Sequence, residues 1–433
     1  MSTNTTFTHP KPANTAPPKI LVVEDSPLVL KIIRHVANAG GYDVDYAESF
    51  SKTKDLVDQN PPYFAALVDL NLPDAPNGEV VDFALQHNIN TIVLTASFDE
   101  QKREALLGKG IVDYVTKEGK FSYQYALGVI DRIYRNQHIK VLAVDDSDMS
   151  RKFIVRLLKQ ALFDVVEAKN GIEAIKVLLA NPDIKLLITD YNMPQMDGFE
   201  LVQNIRHKYE KSDLAVIGIS GEGQSALSAK FIKAGANDFL NKPFNHEEFH
   251  CRIRHNIEAL EHIDEIKDAA DRDYLTGVYN RRYFYRRGQV LHQQATENGT
   301  TLAAAVLDID HFKLINEKFG VAGGDYVLGE FTKLLEEGFS RFLIARPSGE
   351  EFFILLPGIS NEQALSLFTS VQELVQNAPI FIQEETVILS FSAGVTNIHR
   401  DSLQEQLDIA NSYLYRAKDA GRNLVIGDDE DDQ

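Results

Sequence analysis

Residues 20–25 read Ile-Leu-Val-Val-Glu-Asp, an apolar run that ends in two acidic residues. Residues 141–146 repeat the pattern as Val-Leu-Ala-Val-Asp-Asp, 121 positions further along the 433-residue chain. A short apolar run of this kind is typical of a buried β-strand. The repeat distance predicts that a whole domain occurs twice.

Further polar positions follow the same repeat. Asp69 and Asp190 each follow an apolar run, and each lies 44 positions after the second acid of its pair. A hydroxyl residue ends the next run, and a lysine follows it by 22 positions. These residues are Thr95 and Lys117 in the first copy, and Ser220 and Lys242 in the second. Helical periodicity separates the runs, so each copy predicts a doubly wound α/β sheet with these side chains at strand ends.

The repeated residues indicate a particular chemistry. Three carboxylates at neighbouring strand ends repel one another unless a cation offsets their charge. Mg²⁺ is the expected cation, because it prefers oxygen ligands and keeps several waters. A lysine and a hydroxyl beside them give a site able to accept a phosphoryl group on an aspartate. One acid alone could be a helix N-cap, but five positions repeating in register argue against that alternative.

On these residues, 19–138 and 139–258 resemble two response-regulator receiver domains. The resemblance implies that Asp69 and Asp190 are phosphoacceptors served by a cognate sensor histidine kinase or phosphotransfer protein. The implied Mg²⁺ ligands are Glu24, Asp25 and Asp69, and Asp145, Asp146 and Asp190. The implied switch residues are Thr95, Tyr114 and Lys117, and Ser220, Phe239 and Lys242. The first copy departs from the family in its longer loop 72–78, and at Glu118, where the family prefers proline.

Residues 245–270 predict one long helix, because apolar residues recur every three or four positions. One interpretation is the last helix of the second copy, packed on its own sheet. The alternative is that its extension, to about residue 271, forms a coiled-coil stalk that couples the domains.

From Asp271 onward the pattern predicts an α/β domain with a β-hairpin, ending near residue 427. The apolar run 302–307 leads into Asp308, and Glu350 lies in the turn between two further apolar runs. These two carboxylates could hold Mg²⁺ against phosphates, as metal-assisted nucleotidyl transfer requires.

Two further pairs of residues indicate nucleotide binding. Lys418 and Arg422 are four positions apart, which predicts one face of a helix and donors for the β- and γ-phosphates. Asp325, helped by Asn316, could accept hydrogen bonds from guanine N1–H and the amino group. Adenine lacks these donors, so such a site would select guanine.

With these motifs, residues 272–427 resemble a GGDEF diguanylate cyclase domain, and the chain resembles two-receiver diguanylate cyclase response regulators. The resemblance implies a homodimer that condenses two GTP into cyclic di-GMP and two pyrophosphates. Asp308 and Glu350 would be catalytic, and both would bind metal together with the Ile309 carbonyl. The implied substrate-binding residues are Lys313, Asn316, Asp325, Gly349, Lys418 and Arg422.

Two departures from the GGDEF family affect function. Ser348 replaces the first glycine of the signature, and its extra atoms could lower activity. The alternative function is therefore a catalytically weak domain that binds GTP or cyclic di-GMP and signals through protein contacts. The family's product-inhibition motif, Arg-x-x-Asp, falls on Phe339 and Phe342, so we expect that inhibitory site to be missing.

The composition excludes other classes of protein. With 44 Lys+Arg and 63 Asp+Glu, the net charge of −19 argues against a nucleic-acid partner and a basic DNA-binding output domain. The single cysteine, Cys251, excludes an intramolecular disulfide and fits a reducing compartment. No apolar run approaches the ~18 residues of a membrane span, and no signal peptide is evident, which predicts a cytoplasmic protein. We expect residues 1–18 to be a disordered tail and 428–433 an acidic tail.

Overall fold

A computed structural model of the chain describes residues 18–59, 62–97, 99–221 and 225–428, with the backbone alone for 225–227. Both predicted tails lie outside these residues, except for Pro18 and Asp428. Contacts divide the chain into one compact unit that ends at Glu261 and another that begins at His262. No helix within the described ranges is long and apolar enough to cross a membrane.

The first repeat is a five-stranded parallel sheet in the order β2-β1-β3-β4-β5. Its strands are β1 (Lys19–Val23), β2 (Asp43–Ala47), β3 (Ala65–Asp69), β4 (Asn90–Thr95) and β5 (Asp113–Thr116). Its helices are α1 (Pro27–Gly40), α2 (Phe50–Gln59), α3 (Glu79–Gln86), α4 (Glu100–Lys109) and α5 (Lys120–Asn136). Apolar clusters cover both faces of the sheet, which confirms the doubly wound prediction.

The second repeat has the same topology, in the order β7-β6-β8-β9-β10. Its strands are β6 (Lys140–Val144), β7 (Asp164–Ala168), β8 (Ile184–Asp190), β9 (Ala215–Ser220) and β10 (Asp238–Asn241). Its helices are α6 (Asp148–Gln160), α7 (Gly171–Ala180), α8 (Gly198–Arg206), α9 (Ser225–Ala234) and α10 (His246–Asp271). Ser147 caps α6 by accepting a hydrogen bond from the Ser150 N–H, as Ser26 caps α1. The chain therefore turns sharply into a helix directly after each acid pair.

The long helix α10 confirms the first interpretation for its N-terminal part. Phe249, Ile253, Ile257 and Leu260 are buried in the core of the second repeat. Beyond the boundary between the units, Ile266 is 68% exposed. The coiled-coil stalk stays a prediction for this last part of the helix.

The C-terminal unit contains a six-stranded mixed sheet in the order β11-β13-β14-β12-β17-β18. Its strands are β11 (Tyr279–Asn280), β12 (Leu302–Ile309), β13 (Leu343–Ser348), β14 (Glu351–Pro357), β15 (Ile380–Ile382), β16 (Glu385–Val387), β17 (Phe391–Thr396) and β18 (Val425–Ile426), of which β15 and β16 form a separate pair. Its helices are α11 (Arg281–Asn298), α12 (Phe312–Gly338), α13 (Asn361–Gln376) and α14 (Leu403–Asp419). The predicted hairpin is β13–β14, and it brings the turn at Glu350 beside the end of β12.

Candidate functional sites

The first acidic pocket lies where β1 and β3, which are neighbours in the sheet, end. Glu24 and Asp69 are buried, whereas Asp25 is exposed. Lys117 Nζ lies 2.7 Å from Glu24 Oε2 and 2.7 Å from Asp69 Oδ2. Burial raises the pKa of Glu24 above its usual value, although Lys117 opposes that shift. The structure thus brings the predicted carboxylates and lysine together.

The donor set of this pocket fits Mg²⁺. One ligand oxygen each from Glu24, Asp25 and Asp69 can be chosen so that all three lie within 4.8 Å of one another. Within the described ranges this is the one such group of three acidic, histidine or cysteine side chains. Carboxylate oxygens are the ligands that Mg²⁺ prefers, and an exposed ligand such as Asp25 leaves room for waters.

The predicted switch residues of the first repeat lie around the loop that leads to α4. The Thr95 hydroxyl donates a hydrogen bond to the carbonyl oxygen of Ser97 at 3.1 Å. The Tyr114 hydroxyl, from a buried ring, donates to the same carbonyl at 3.3 Å. The Lys117 N–H donates to the Thr95 carbonyl at 2.8 Å. Lys117 therefore contacts Asp69 through its side chain and Thr95 through its backbone.

The two departures of the first repeat are accommodated locally. The longer loop contains Asp74, whose carboxylate accepts hydrogen bonds from the Phe50 and Ser51 N–H groups at 3.0 Å. The loop is therefore fastened to the start of α2. Glu118 accepts a hydrogen bond from the Thr116 hydroxyl at 3.1 Å, outside the acidic pocket.

The second acidic pocket repeats the first with one addition. Asp145 and Asp190 are buried and Asp146 is exposed, and Lys242 Nζ lies 3.0 Å from Asp145 Oδ2 and 2.7 Å from Asp190 Oδ1. Lys242 Nζ also donates to Ser150 Oγ at 2.9 Å, and Ser150 Oγ donates to Asp145 Oδ2 at 2.5 Å. Sequence reasoning missed Ser150, although the repeat aligns it with Val29 of the first copy.

The remaining residues of the second pocket lie at the predicted strand ends. Ser220 is the buried last residue of β9, and its carbonyl accepts a hydrogen bond from the Lys242 N–H at 2.7 Å. Phe239 is buried against Phe231, with ring centroids 5.5 Å apart. Burial raises the pKa of Asp190, and the nearby Lys242 ammonium group opposes that shift.

The two repeats contact each other through residues that sequence reasoning did not single out. Arg103 of α4 is buried, and its guanidinium lies 2.7 Å from Glu100 and 2.6 Å from Glu247 of α10. The Gln160 amide of α6 donates to the Ile111 carbonyl at 2.6 Å. The Arg103–Glu247 pair thus joins α4 to α10, and the Gln160 bond joins α6 to the segment between α4 and β5. Such long-range pairs leave no periodic signal in the sequence.

The C-terminal unit brings three predicted residues to one edge of its sheet. Lys418 Nζ, from α14, lies 2.9 Å from Asp308 Oδ1 at the end of β12. The Ile309 N–H donates a hydrogen bond to the Glu350 carbonyl at 3.3 Å, which ties the hairpin turn to the same strand. Burial raises the pKa of Asp308; Lys418 lowers it, and Glu350 raises it further. Burial also raises the pKa of Glu351, beside Asp308. Two carboxylates and a backbone carbonyl are a donor set that fits Mg²⁺.

One predicted geometry is wrong. Lys418 lies on α14, but this helix ends at Asp419, so Arg422 does not share a helical face with Lys418. Gly421 and Arg422 have φ values of 121° and 66°, and such left-handed residues terminate helices. Arg422 instead lies in the turn that leads to β18, with an exposed side chain.

Of the remaining predicted residues, Lys313 and Asn316 lie near the start of α12, Asp325 lies at its middle, and Gly349 lies in the hairpin turn. Asn316 is half-buried, and its Oδ1 packs so closely over Gly324 that a Cβ there would come within 1.9 Å. Asn316 thus lies against Gly324, the residue that precedes Asp325 in the sequence. Lys313 does not join the site through an observed contact: its side chain is 87% exposed, and its nearest acidic partner is Glu317, at 3.9 Å.

The hairpin turn that carries the signature is fixed by Arg346. This residue donates from Nε to the Gly349 carbonyl at 2.7 Å and from a terminal nitrogen to Asp273 Oδ1 at 2.8 Å. Gly349 has φ 57°, a left-handed conformation that suits glycine. Ser348 is the exposed last residue of β13 and pairs with Glu351 after a register shift between Ala345 and Ser348. Ser348 is not among the residues with a positive φ, so its backbone does not require glycine.

Sequence reasoning gave no role to Asp310, which is 5% exposed. Its carboxylate accepts hydrogen bonds from the Ser390 hydroxyl at 2.8 Å, the Ser392 hydroxyl at 2.7 Å and the Asn423 N–H at 2.9 Å. The available signal was an acid two positions after Asp308, directly after an apolar strand.

Comparisons with known proteins relate both parts of the chain to described families. Residues 20–123 and 141–254 match the response regulator receiver domain, and residues 270–424 match the family described as diguanylate cyclase, GGDEF domain.

Individual relatives agree with these matches. Response regulator PleD of Caulobacter vibrioides is 28% identical over 300 residues, which cover 66% of this chain and 65% of PleD. Diguanylate cyclase DgcP of Pseudomonas aeruginosa is 36% identical over 169 residues, which cover 38% of this chain and 25% of DgcP. A solved structure described as a two-component system response regulator/GGDEF domain protein is 45% identical, with a TM-score of 0.53, and the match covers 56% of this chain and 99% of that chain. The chain thus spans less than two thirds of the length of these two curated relatives.

Proposed function

Because the chain belongs to the response regulators that carry two receiver domains and a GGDEF domain, we propose that it is a diguanylate cyclase controlled by aspartate phosphorylation. The observation that carries the proposal is the contact of 2.9 Å between Lys418 Nζ and Asp308 Oδ1, beside the turn that bears Glu350. This arrangement offers carboxylates for metal ions and an ammonium group for phosphates at one edge of a sheet.

In the proposed reaction, each of two GGDEF domains in a homodimer holds one GTP. The 3′-oxygen of one GTP bonds to the α-phosphorus of the other, the bond to pyrophosphate breaks, and Glu350 takes the hydroxyl proton. The same step in the opposite direction closes the ring, so two GTP give cyclic di-GMP and two pyrophosphates. Holding the two nucleotides face to face replaces a collision in solution, which is a large part of the expected rate gain.

The binding roles follow from the chemistry of each side chain. Asp308, the Ile309 carbonyl and Glu350 would hold Mg²⁺, which supplies neutralising charge for the phosphates when bound. Lys418 and Arg422 would bind the β- and γ-phosphates, and Lys313 and Gly349 would lie along the nucleotide. Asn316 and Asp325 would select guanine by accepting and donating hydrogen bonds at its edge. A GTP substrate also favours a cytoplasmic location.

Asp69 and Asp190 would be the phosphoacceptors, supplied by a sensor histidine kinase or a phosphotransfer protein. Mg²⁺ would be held by Glu24, Asp25 and Asp69 in the first domain, and by Asp145, Asp146 and Asp190 in the second. Lys117 and Lys242 would then bind oxygens of the phosphoryl group. Thr95 and Ser220 would bind them as well.

The contacts between the receiver domains support the proposal that phosphorylation of a receiver domain controls the cyclase domain. The switch loop at Ser97 leads into α4, and Arg103 of α4 is ion-paired with Glu247 of α10 at 2.6 Å. Glu261, further along α10, accepts from Arg132 of α5 at 2.7 Å. Helix α10 continues to Asp271, so a shift of α4 or α5 would move a helix that leads into the cyclase.

The proposal is tested by incubating the full chain with GTP and Mg²⁺, with and without beryllofluoride as a phosphoryl mimic, and separating the products by chromatography. Cyclic di-GMP that increases with beryllofluoride is the expected result. Glu350→Gln should abolish the product in both conditions. An Asp69→Asn, Asp190→Asn double variant should form product without responding to the mimic. A double variant that responds as wild type does would overturn the control mechanism.

Ser348 motivates a second candidate function, a catalytically weak domain that binds GTP or cyclic di-GMP and signals through protein contacts. Its position in a strand, with an exposed side chain, requires no glycine conformation and favours retained activity. GTP binding without product in either condition would favour the second candidate. Ser348→Gly should then restore product formation if Ser348 alone is the cause.

A further inference from the structure

Asp310 is a buried carboxylate for which the proposed reaction has no use. It lies two residues after Asp308 and joins three separate segments of the chain. Ser390 and Ser392 donate their hydroxyl hydrogens to it from the start of β17, and the Asn423 N–H donates to Oδ2 from the turn after α14. Hydrogen bonds to an ionised carboxylate are stronger than those between neutral groups, so this side chain can brace the turn.

The turn after α14 has an unfavourable backbone conformation that needs stabilising contacts. Gly421, Arg422 and Asn423 have φ values of 121°, 66° and 50°, so three successive residues are left-handed. This conformation is unfavourable for residues with a Cβ atom. Strained backbone persists where surrounding contacts hold it, and it is concentrated at functional sites.

We infer that Asp310 is the positioning residue for Arg422. Its hydrogen bond to the Asn423 N–H holds the left-handed turn, and this turn presents the Arg422 guanidinium to the triphosphate of a bound nucleotide. The inference rests on the proposed function, because it requires Arg422 to be a phosphate ligand. It predicts that Asp310 contributes to triphosphate binding and not to guanine binding.

A purely structural role is the alternative, and the chain offers a matched control for it. Asp428 also joins distant segments: its carboxylate accepts hydrogen bonds from the Thr396 hydroxyl at 2.6 Å and the Asn397 N–H at 2.7 Å. These contacts lie at the end of β17, whereas Ser390 and Ser392 flank its start. Asp428→Asn therefore removes a carboxylate with comparable hydrogen bonds at the opposite end of β17 from Ser390 and Ser392.

The experiment measures, by calorimetry on the full chain with Mg²⁺, the affinity for GMP and for a GTP analogue with a methylene group between the α- and β-phosphorus atoms. Asp310→Asn should weaken analogue binding about tenfold, the loss expected for one hydrogen bond to a charged group. It should leave GMP binding within twofold, and Asp428→Asn should leave both within twofold. In an Arg422→Ala background, Asp310→Asn should have no further effect.

A second variant serves if Asp310→Asn does not fold. Replacing residue 423 by the corresponding α-hydroxy acid removes only the N–H donor and keeps every side chain, and it should cause the same selective loss. Equal weakening of GMP and analogue binding, or a full additional loss in the Arg422→Ala background, would overturn the inference. Wild-type protein that fails to bind the analogue would overturn the proposed function as well. Wild-type binding with an unaffected Asp310→Asn variant would overturn the inference alone.

Discussion

Nζ of Lys418 lies 2.9 Å from Oδ1 of Asp308, and the two side chains come from α14 and from the end of β12. Burial raises the pKa of Asp308, and the Lys418 ammonium group opposes that shift. The side chains are 26% and 17% exposed, so water screens their attraction only in part. The Lys418 ammonium group therefore offsets part of the effect of burial on the Asp308 carboxylate.

Removal of the Lys418 charge is expected to weaken nucleotide binding. Lys418→Met keeps an apolar stem but no ammonium group, so affinity for the methylene analogue of GTP should fall about 10- to 100-fold, as for one charge-assisted hydrogen bond. Calorimetry with Mg²⁺ measures the loss. Lys333→Met is the matched control, because Lys333 is an exposed lysine on α12 that pairs with Glu330. Wild-type affinity in Lys418→Met would show that Lys418 is not a phosphate ligand.

The receiver domains are expected to bind Mg²⁺ with different affinities. In the first pocket, ligand oxygens of the three carboxylates lie within 4.8 Å of one another. In the second pocket, the Asp145 carboxylate accepts a hydrogen bond from the Ser150 hydroxyl, which competes with a metal ion for that oxygen. In an Asp308→Asn background, calorimetry should therefore show that Asp25→Asn removes the tighter of two sites. Ser150→Val should strengthen the weaker site about tenfold, the effect expected for one hydrogen bond to a charged group.

The reciprocal change tests the same explanation. Val29→Ser introduces a hydroxyl at the matching position of the first receiver domain, and it should weaken the tighter Mg²⁺ site by a similar factor. Unchanged affinities in both swapped variants would mean that the hydroxyl does not compete with the metal for the carboxylate.

The strand ends of the receiver domains could be predicted because the information is local and occurs twice. Buried parallel strands are short apolar runs, and the residue after each run lies at the same edge of the sheet. Asp69, Thr95, Asp190 and Ser220 each end a strand as predicted. The repeat distance added a second, independent alignment of the same positions.

Other parts of the sites could not be read from local pattern. The donors to Asp310 lie 80, 82 and 113 residues away in the sequence, so its partners become evident only in the folded sheet. The spacing of Lys418 and Arg422 predicted a common helical face, but Gly421 ends the helical geometry between them. Ser150, in the first turn of α6, accepts a hydrogen bond from Lys242, which follows β10 and lies 92 residues away in the sequence.

We expect no non-competitive inhibition by cyclic di-GMP through the product-inhibition site, because the Arg-x-x-Asp motif that forms this site in the family is missing. Phe339 is fully buried against Phe368, with ring centroids 4.7 Å apart, and Phe342 is half-buried against the same core. Initial rates at saturating GTP should therefore be unchanged by micromolar product.

Restoring the inhibitory motif by substitution should fail for a physical reason. Phe339→Arg places a charge in an apolar core, which is strongly unfavourable. The melting temperature of the cyclase unit should therefore fall, and product inhibition should not appear. Phe342→Asp, at a half-buried position, should lower it less. Non-competitive inhibition of the wild type that substitutions at Phe339 abolish would contradict this prediction.

The interface between the receiver domains is expected to lose stability in mild acid. His246 and His250 of α10 line a cavity of about 70 Å³ together with Asp113, Arg132 and Arg254, and Nε2 of both imidazoles has no hydrogen-bond partner among the described residues. Burial and neighbouring arginines lower the pKa of His246 to about 4. Burial, His246 and Arg254 lower the pKa of His250 to about 3.

The direction of the pH effect follows from these shifts. In the unfolded chain both histidines take up protons near pH 6.5, whereas in the folded protein they stay neutral until about pH 4 and 3. The unfolded state therefore binds more protons as the pH falls below 6.5, and the stability decreases over that range. Burial raises the pKa of Asp113, which has the opposite effect. Because Asp113 opposes the two histidines, the test compares the pH dependence of the melting temperature between variants and not its absolute value.

Calorimetric melting at pH 7.5 and 5.5 measures this difference. A His246→Gln, His250→Gln double variant should lose less of its melting temperature between the two pH values than the wild type, because it lacks both proton-binding groups in the unfolded state. His255→Gln is the matched control: His255 lies on the same helix but is exposed, so its removal should leave the pH dependence as in the wild type. If the double variant lost as much as the wild type, the acid sensitivity would have to come from other groups, and the neutral state of the two half-buried imidazoles would not contribute to the interface.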